Sequence, residues 1–390
     1  STGSKCMLQI YQSDNNIVNN NTLTDAEYGL SLSSSSNNVI SNNTITLEDL
    51  GYTQRGIWLS GSSINNQITN NFVSGYENGL VSRSDSNYFS GNVFDDNQYG
   101  IKFGDGSEFN KFENNTIKNN EYHGVLIQDT SKFNEFWNNT ISSSDAYDFY
   151  VEENSTGNFI VNTQFTTISV DSSSDLLVRE YFVLDVNDAS GNNMSSIDIK
   201  VMENTTQKYV TSYFGGSDSK TDSSGTIETF LINHKIYDGN STPTTIPTYV
   251  SARSNDWVET FTSNPSSTIQ ITVPDLRVQN TRTGTLTYHI QTAIDGANEG
   301  DTIRAWNGTY FESIEITEEV TIIGNGTFTI IDGGGNYQFS GNTTFEVKED
   351  SITIKNLKII NARTGIFVSD VEDTVITNIK FESSVSGTTY

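Results

Sequence analysis

Along the first 170 positions, apolar residues recur in short stretches at a spacing of two, never three or four, with Asn or Gly between the stretches. That period belongs to strands and excludes helices. Taking Asn16, Asn38, Asn66, Asn87, Asn110, Asn134 and Asn158 as origins, the steps are 22, 28, 21, 23, 24 and 24 residues. Two places on stand Val18, Ile40, Ile68, Phe89, Phe112, Phe136 and Ile160, and five on stand Asn21, Asn43, Asn71, Asn92, Asn115 and Asn139, with Thr163 ending the run. Further along each copy a Gly precedes alternating apolar residues, as in Gly29-Leu30-Ser31-Leu32, Gly56-Ile57-Trp58-Leu59, Gly100-Ile101-Lys102-Phe103 and Gly124-Val125-Leu126-Ile127. Three short strands per coil without hairpin turns describe a parallel β-helix whose columns stack about 4.8 Å apart. Inward columns then form aliphatic and Phe ladders. Asn is expected at left-handed corners, with its side chain bonded from coil to coil. All four prolines, Pro243, Pro247, Pro265 and Pro274, fall outside this region, as expected where a proline would remove a ladder donor. The 28-residue step carries an insertion near Leu47 to Arg55, expected as a surface loop.

These columns resemble the right-handed parallel β-helix repeats of pectate-lyase-like and NosD-like proteins, over about residues 5–170 and 285–390. The resemblance implies the fold of many surface proteins, a fold that carries lyases, hydrolases, adhesins and stalks alike.

From about Asp171 the Asn columns stop and seven longer strands follow, separated by turns such as Asp188-Ala189-Ser190-Gly191 and Asp222-Ser223-Ser224-Gly225. They are expected over 176–186, 197–202, 207–214, 226–232, 248–253, 256–261 and 268–273, which reads as a β-sandwich. The segment Thr221-Asp222-Ser223-Ser224-Gly225 before a strand is similar to carboxypeptidase-regulatory or Ig-like modules, which implies a spacer or interaction surface. After Leu276, Thr287 precedes Ile290, Ala293, Ile294 and Ala297, the face of an amphipathic helix closed by Gly300. The strand-like string after it resembles the opening coils of pectinesterase-like β-helices. Asn356 and Asn378 then restore the repeat at a spacing of 22. The expected fold is all-β: a parallel β-helix of about seven coils at 1–170, a β-sandwich at 171–275, and the helix-capped start of a second parallel β-helix at 276–390.

Composition narrows the partners. Lys+Arg number 21 against 48 Asp+Glu, a net charge of −27 that repels nucleic acid and anionic membranes. The single cysteine, Cys6, excludes an internal disulfide framework and a Cys-rich metal cluster. No apolar run approaches the roughly 18 residues of a membrane span. The whole reads as an extracellular or cell-surface protein.

Candidate chemistry is sparse. Polygalacturonases of this fold use paired aspartates, a Gly-His-Gly and an Arg-Ile-Lys; Asp95-Asp96, Tyr122-His123-Gly124 and Gly100-Ile101-Lys102 are the nearest counterparts, in a different order and company. Asp95 shares a coil column with Lys118, so a solvent-exposed cross-coil ion pair explains it. Pectate lyases need clustered Asp for Ca²⁺ and an Arg, whereas Arg55 and Arg83 are the first helix's only arginines and neither shares a column with stacked acids. Tyr28, Tyr99, His123 and Tyr147 precede the Gly column or its equivalent and should form a partial aromatic ladder, a surface that packs on itself or docks sugar rings. Asp185 and Asp188 supply oxygen ligands of the kind Ca²⁺ takes. His123, His234 and His289 fall in different segments, which speaks against a histidine metal site. Among the Asn-x-Ser/Thr sequons, Asn193, Asn204, Asn240 and Asn307 are the expected glycan acceptors, those of the Asn ladder being disfavoured if they face inward. Cys6, Leu8 and Ile10 near one end and Ile376 and Phe381 near the other are the candidates for head-to-tail assembly, with further copies of the chain or further repeats as partners. The reading is a structural or adhesive surface protein, such as a stalk, layer or filament subunit. The alternatives are a polysaccharide lyase or hydrolase, and a non-catalytic carbohydrate-binding module.

Overall fold

The computed structural model describes residues 5–48, 54–142, 145–254, 257–263, 268–333 and 343–382. The centre of the expected insertion loop, residues 49–53, lies outside them. Over the first 170 residues three parallel sheets wind around one core. Sheet A holds eight strands: Cys6–Tyr11, Tyr28–Ser33, Arg55–Ser60, Asn78–Ser82, Tyr99–Phe103, His123–Ile127, Tyr147–Val151 and Ile168–Val170. Sheet B begins with Ile17–Asn19 and runs through Lys111–Glu113 to Asn158–Val161, and the six-stranded sheet C runs from Thr22–Thr24 to Thr140–Ser142.

The expected register holds. Val18, Ile40, Ile68, Phe89, Phe112 and Phe136 are successive partners in sheet B, all buried. Phe112 stacks between Phe89 and Phe136, at ring distances of 4.4 and 5.2 Å. The Gly column follows from crowding: a Cβ on Gly100 would stand 2.6 Å from the carbonyl oxygen of Gly124.

The Asn columns divide their work differently from expectation. From Asn16 to Asn158 and from Asn21 to Asn139, each Asn amide N–H donates to the next ladder Asn Oδ1 at 2.8–3.0 Å. These ladder residues are not left-handed. The positive φ belongs to the residue before each one, such as Asn37, Asn65, Asn42 and Asn114. A side chain reaching up the stack and a backbone turning the corner are separate demands, and two adjacent positions meet them. At the third corner a shorter ladder, Asn97 to Asn120, receives Tyr76 N–H.

A 14-residue strand, Asp175–Asp188, links the first core to the next. Its first half pairs in parallel with Asn158–Val161 and places Leu176 in the solenoid core. It pairs antiparallel with Phe230–Asp238, with a register break between Val178 and Arg179. Its second half pairs in parallel with Thr268–Val273. These strands continue sheet B beyond the last coil and cover this end of the first core. A four-stranded antiparallel sheet follows: Thr206–Val210, Asp198–Glu203, Thr248–Ser254 and Trp257–Ser263. Its Ile199, Val201, Val250 and Ala252 share an apolar cluster with Phe182, Leu184 and Val186. The strand expected at 207–214 stops at Val210 and gives way to a 3-10 turn, and the one expected at 226–232 forms later, at Phe230–Asp238.

Beyond Val278 a further set of parallel pairings joins Asp301–Ala305, Val320–Ile323, Thr353–Ile360 and Val375–Glu382 over a separate apolar core. The helix, Ile290–Asp295, buries Ile290, Ala293 and Ile294 there and stops at Gly296 instead of Gly300. Its start is satisfied from a neighbouring segment, since the Glu312 carboxylate accepts the amides of Ile290 and Gln291 at 3.0 Å each.

Candidate functional site: the outward face of sheet A

The pleat of sheet A sends Leu30, Ile57, Leu80, Ile101, Val125 and Phe149 into the core, which leaves two neighbouring columns on the outside. One contains Tyr28, Arg55, Asn78, Tyr99, His123 and Tyr147 in successive coils. The other contains Ser31, Trp58, Val81, Lys102, Leu126 and Tyr150. Two aromatic groups result. Tyr28 stacks on Trp58 at 5.3 Å, and the Arg55 guanidinium lies 4.6 Å from the Trp58 ring centre. Higher up, His123 lies 4.7 Å from Tyr150, 5.8 Å from Tyr147 and 5.7 Å from Tyr99, and Lys102 reaches over Tyr99 at 5.3 Å.

Between the two groups lies a cleft of about 80 Å³ lined by Arg55, Glu77, Asn78, Val81, Arg83 and Lys102. Three of the first solenoid's cations gather here, although the chain carries −27. Asn78 is buried and its Oδ1 has no hydrogen-bond partner among the described residues; the same is true of Trp58 Nε1. Buried polar atoms are normally satisfied, yet Ser31 Oγ and His123 Nδ1 are unpartnered among the described residues as well, which puts four such atoms in these two columns. Burial holds His123 below the usual imidazole range, so the ring in the stack is neutral near pH 7. Burial, reinforced by Glu153 and Asp171, pushes Glu152 above the usual carboxylate range. The negative charge of Glu152 in turn raises the Tyr150 phenol, which stays protonated.

Sequence reasoning named Tyr28, Tyr99, His123 and Tyr147 as a ladder, and they do occupy one column. It is broken by Arg55 and Asn78. Trp58, Lys102 and Tyr150 were missed, because their column changes residue type at every coil. The weak catalytic candidates are not brought together: Asp95 and Asp96 belong to sheet C and the corner after it, whereas His123 is on sheet A. Asp95 faces Lys118 across the coil at 3.3 Å, as expected, and accepts from Asn119 Nδ2 at 2.8 Å.

Asp185 and Asp188 are also apart, since three steps along a strand reverse the face. Asp188 closes its own turn by accepting from the amides of Ser190 and Asn192, while Asp185 accepts from Gln270 at 3.4 Å. Asn193, Asn204, Asn240 and Asn307 are exposed. So are Asn20, Asn42, Asn114 and Asn138, because each precedes the inward ladder residue; the objection to these solenoid sequons falls. Leu8 and Ile10 pack into their own core, Cys6 is half-buried, and Ile376 and Phe381 are exposed.

The architecture is that of a parallel β-solenoid. Residues 2–141 match the family described as right handed beta helix region. Two solved structures are similar to this chain. One is the catalytic domain of a GH87 alpha-1,3-glucanase in complex with nigerose, at 11% identity and a TM-score of 0.33, covering 98% of this chain and 63% of that one. The other is the same kind of domain in complex with tetrasaccharides, at 12% identity and a TM-score of 0.27, covering 97% and 64%. The chain thus spans less than two thirds of the length of either. No curated protein matches it.

Proposed function

We propose that this chain is an adhesive, structural solenoid of the cell exterior that holds polysaccharide along the outward face of sheet A without cleaving it. One observation carries the reading: aromatic rings, three cations and unpartnered buried polar atoms share a single face. Sugar rings present C–H faces to aromatic side chains and hydroxyls to amides and guanidinium groups, and this face offers both. Ring spacings of 4.7–5.8 Å along the coils are on the scale of one sugar unit, which suits a chain lying along the solenoid axis. The weak acid candidates Asp95 and Asp96 are on another side of the solenoid, which favours holding over hydrolysis.

The test is retention on a panel of neutral and acidic polysaccharides, read together with release of reducing ends. The account expects retention that Trp58→Ala and Tyr99→Ala each weaken by about tenfold, with no release. Equal retention by both variants would remove the face from the reading, and sugar release would move the protein into the lyase or hydrolase class.

The structural part of the proposal assigns the edge strands Cys6–Tyr11 and Val375–Glu382 to contact with further copies of the chain, since edge strands template pairing. Sedimentation across a concentration series reads this directly. Association that Ile376→Lys suppresses is expected, and an unchanging monomer excludes it.

A further inference from the structure

A cavity of about 520 Å³ lies far from sheet A in the sequence, between the edge strand Trp257–Ser263 and the segments around Arg277, Tyr288 and Tyr310. Its volume is within the ordinary range for small-molecule sites. Trp257, Tyr288 and Tyr310 form a buried aromatic wall, while Phe311 is 64% exposed beside them. A large ring left in water next to a cavity is in position to cover an occupant.

The polar groups are equally placed. The Arg277 guanidinium lies 5.5 Å over the Tyr310 ring and has no carboxylate within 4.0 Å among the described residues. Gly308, at φ 145°, lets it lie there, since a Cβ at that position would collide with Arg277 Nη1. Glu259 lines the same cavity and is exposed. Glu312 is already committed to the amides of Ile290 and Gln291 and stands 3.5 Å from His289 Nδ1. Burial pushes Tyr310 up to about 12, so its phenol stays neutral.

We infer that this cavity is a binding site for one neutral, hydroxyl-rich ring of monosaccharide size, held by Arg277 as donor, Glu259 as acceptor and Phe311 against the ring face. A neutral occupant fits the balance of one cation and one available carboxylate, and the −27 charge of the chain disfavours an anion. A pocket of this volume takes a single ring, whereas the columns of sheet A run along several coils. The site therefore stands independently of the proposal for sheet A.

The experiment is calorimetric titration of the full chain with the methyl α- and β-glycosides of glucose, galactose, mannose and N-acetylglucosamine. At least one glycoside is expected to saturate with a dissociation constant on the order of millimolar. Phe311→Ala should weaken it by about fivefold to tenfold, and Glu259→Gln by about tenfold. Both side chains are exposed, so melting temperatures should match the parent. Trp58→Ala and Tyr99→Ala should leave this binding unchanged, which separates a failure here from a failure of the sheet A reading. If no glycoside saturates by about 50 mM, or if both pocket variants bind as the parent does, the inference is overturned.

Discussion

At Asn110 both the backbone amide and the side-chain amide donate to Asn134 Oδ1 at 3.0 Å, in a fully buried position. At Asn356, in the later solenoid region, the side-chain bond to Asn378 is 3.1 Å long and exposed. Asn356 is itself left-handed, at φ 59°, whereas Asn110 is not. Residue type and a spacing near 22 are shared, yet the function differs. In the first region Asn is a piece of polar core that ties coil to coil; in the later one it bends the strand Thr353–Ile360 at a corner. A repeated Asn thus reports a solenoid without reporting which of the two tasks it performs.

The core offers the largest test of this contrast. Phe112→Ala and Phe345→Ala should each destabilise by about 3–5 kcal/mol in denaturant unfolding. Phe112 should be the costlier, since its two stacked neighbours add about 0.5–1.5 kcal/mol of ring interaction. A larger loss at Phe345 would break the comparison.

Asn110→Ala strands the buried Asn87 amide, while the Ser84 carbonyl keeps the Ser82 and Ser107 hydroxyls, and should cost about 1–3 kcal/mol. Asn110→Gly should be no better. At Asn356, Gly should be nearly neutral and Ala mildly destabilising, by about 1 kcal/mol, because the side-chain bond to Asn378 is exposed and the backbone conformation is the main demand. Rescue of position 110 by Gly would show that the ladder is incidental.

Acid should separate the regions next. His123 is held below its unfolded value, so the folded state disfavours its charged form and loses stability as pH falls through the imidazole range, below about 6.5. Asp301 is also held low, first by the Asn298 amide and also by Asn280 and Arg282, so its contribution is present at neutral pH and lost only in the carboxylate range, below about 4. Melting curves should lose the first slope in His123→Phe and the second in Asp301→Asn. The smallest effect is expected at Lys118→Ala, within about 0.5 kcal/mol, because its direct ion pair with Asp95 is open to solvent.

The inward ladders were legible because each column repeats one kind of residue under one constraint. Phe89, Phe112 and Phe136 had no alternative but to stack once the period was known. The left-handed column was hidden one place before the ladder, where Asn37, Ser86, Phe109 and Asn114 share a conformation without sharing a residue type. The strand Asp175–Asp188 was expected as part of the second module alone, since nothing in its pattern marks the half that also finishes the first sheet. The outward face was half legible. Tyr99 and His123 sit beside a Gly signal, while Trp58, Lys102 and Tyr150 share a column with Ser31 and Val81 and leave no period. The cavity at Arg277 and Phe311 was invisible, because it draws on segments from 257 to 312 that meet only in three dimensions.

Hydrogen–deuterium exchange in the presence and absence of a polysaccharide retained by the protein tests the central claim most directly. The account predicts slowed exchange in peptides from Tyr28–Ser33 through Tyr147–Val151 of sheet A, centred on Asn78–Ser82 and Tyr99–Phe103, with sheets B and C unchanged. Protection confined to sheet B or sheet C, with sheet A exchanging as in the free protein, would contradict it.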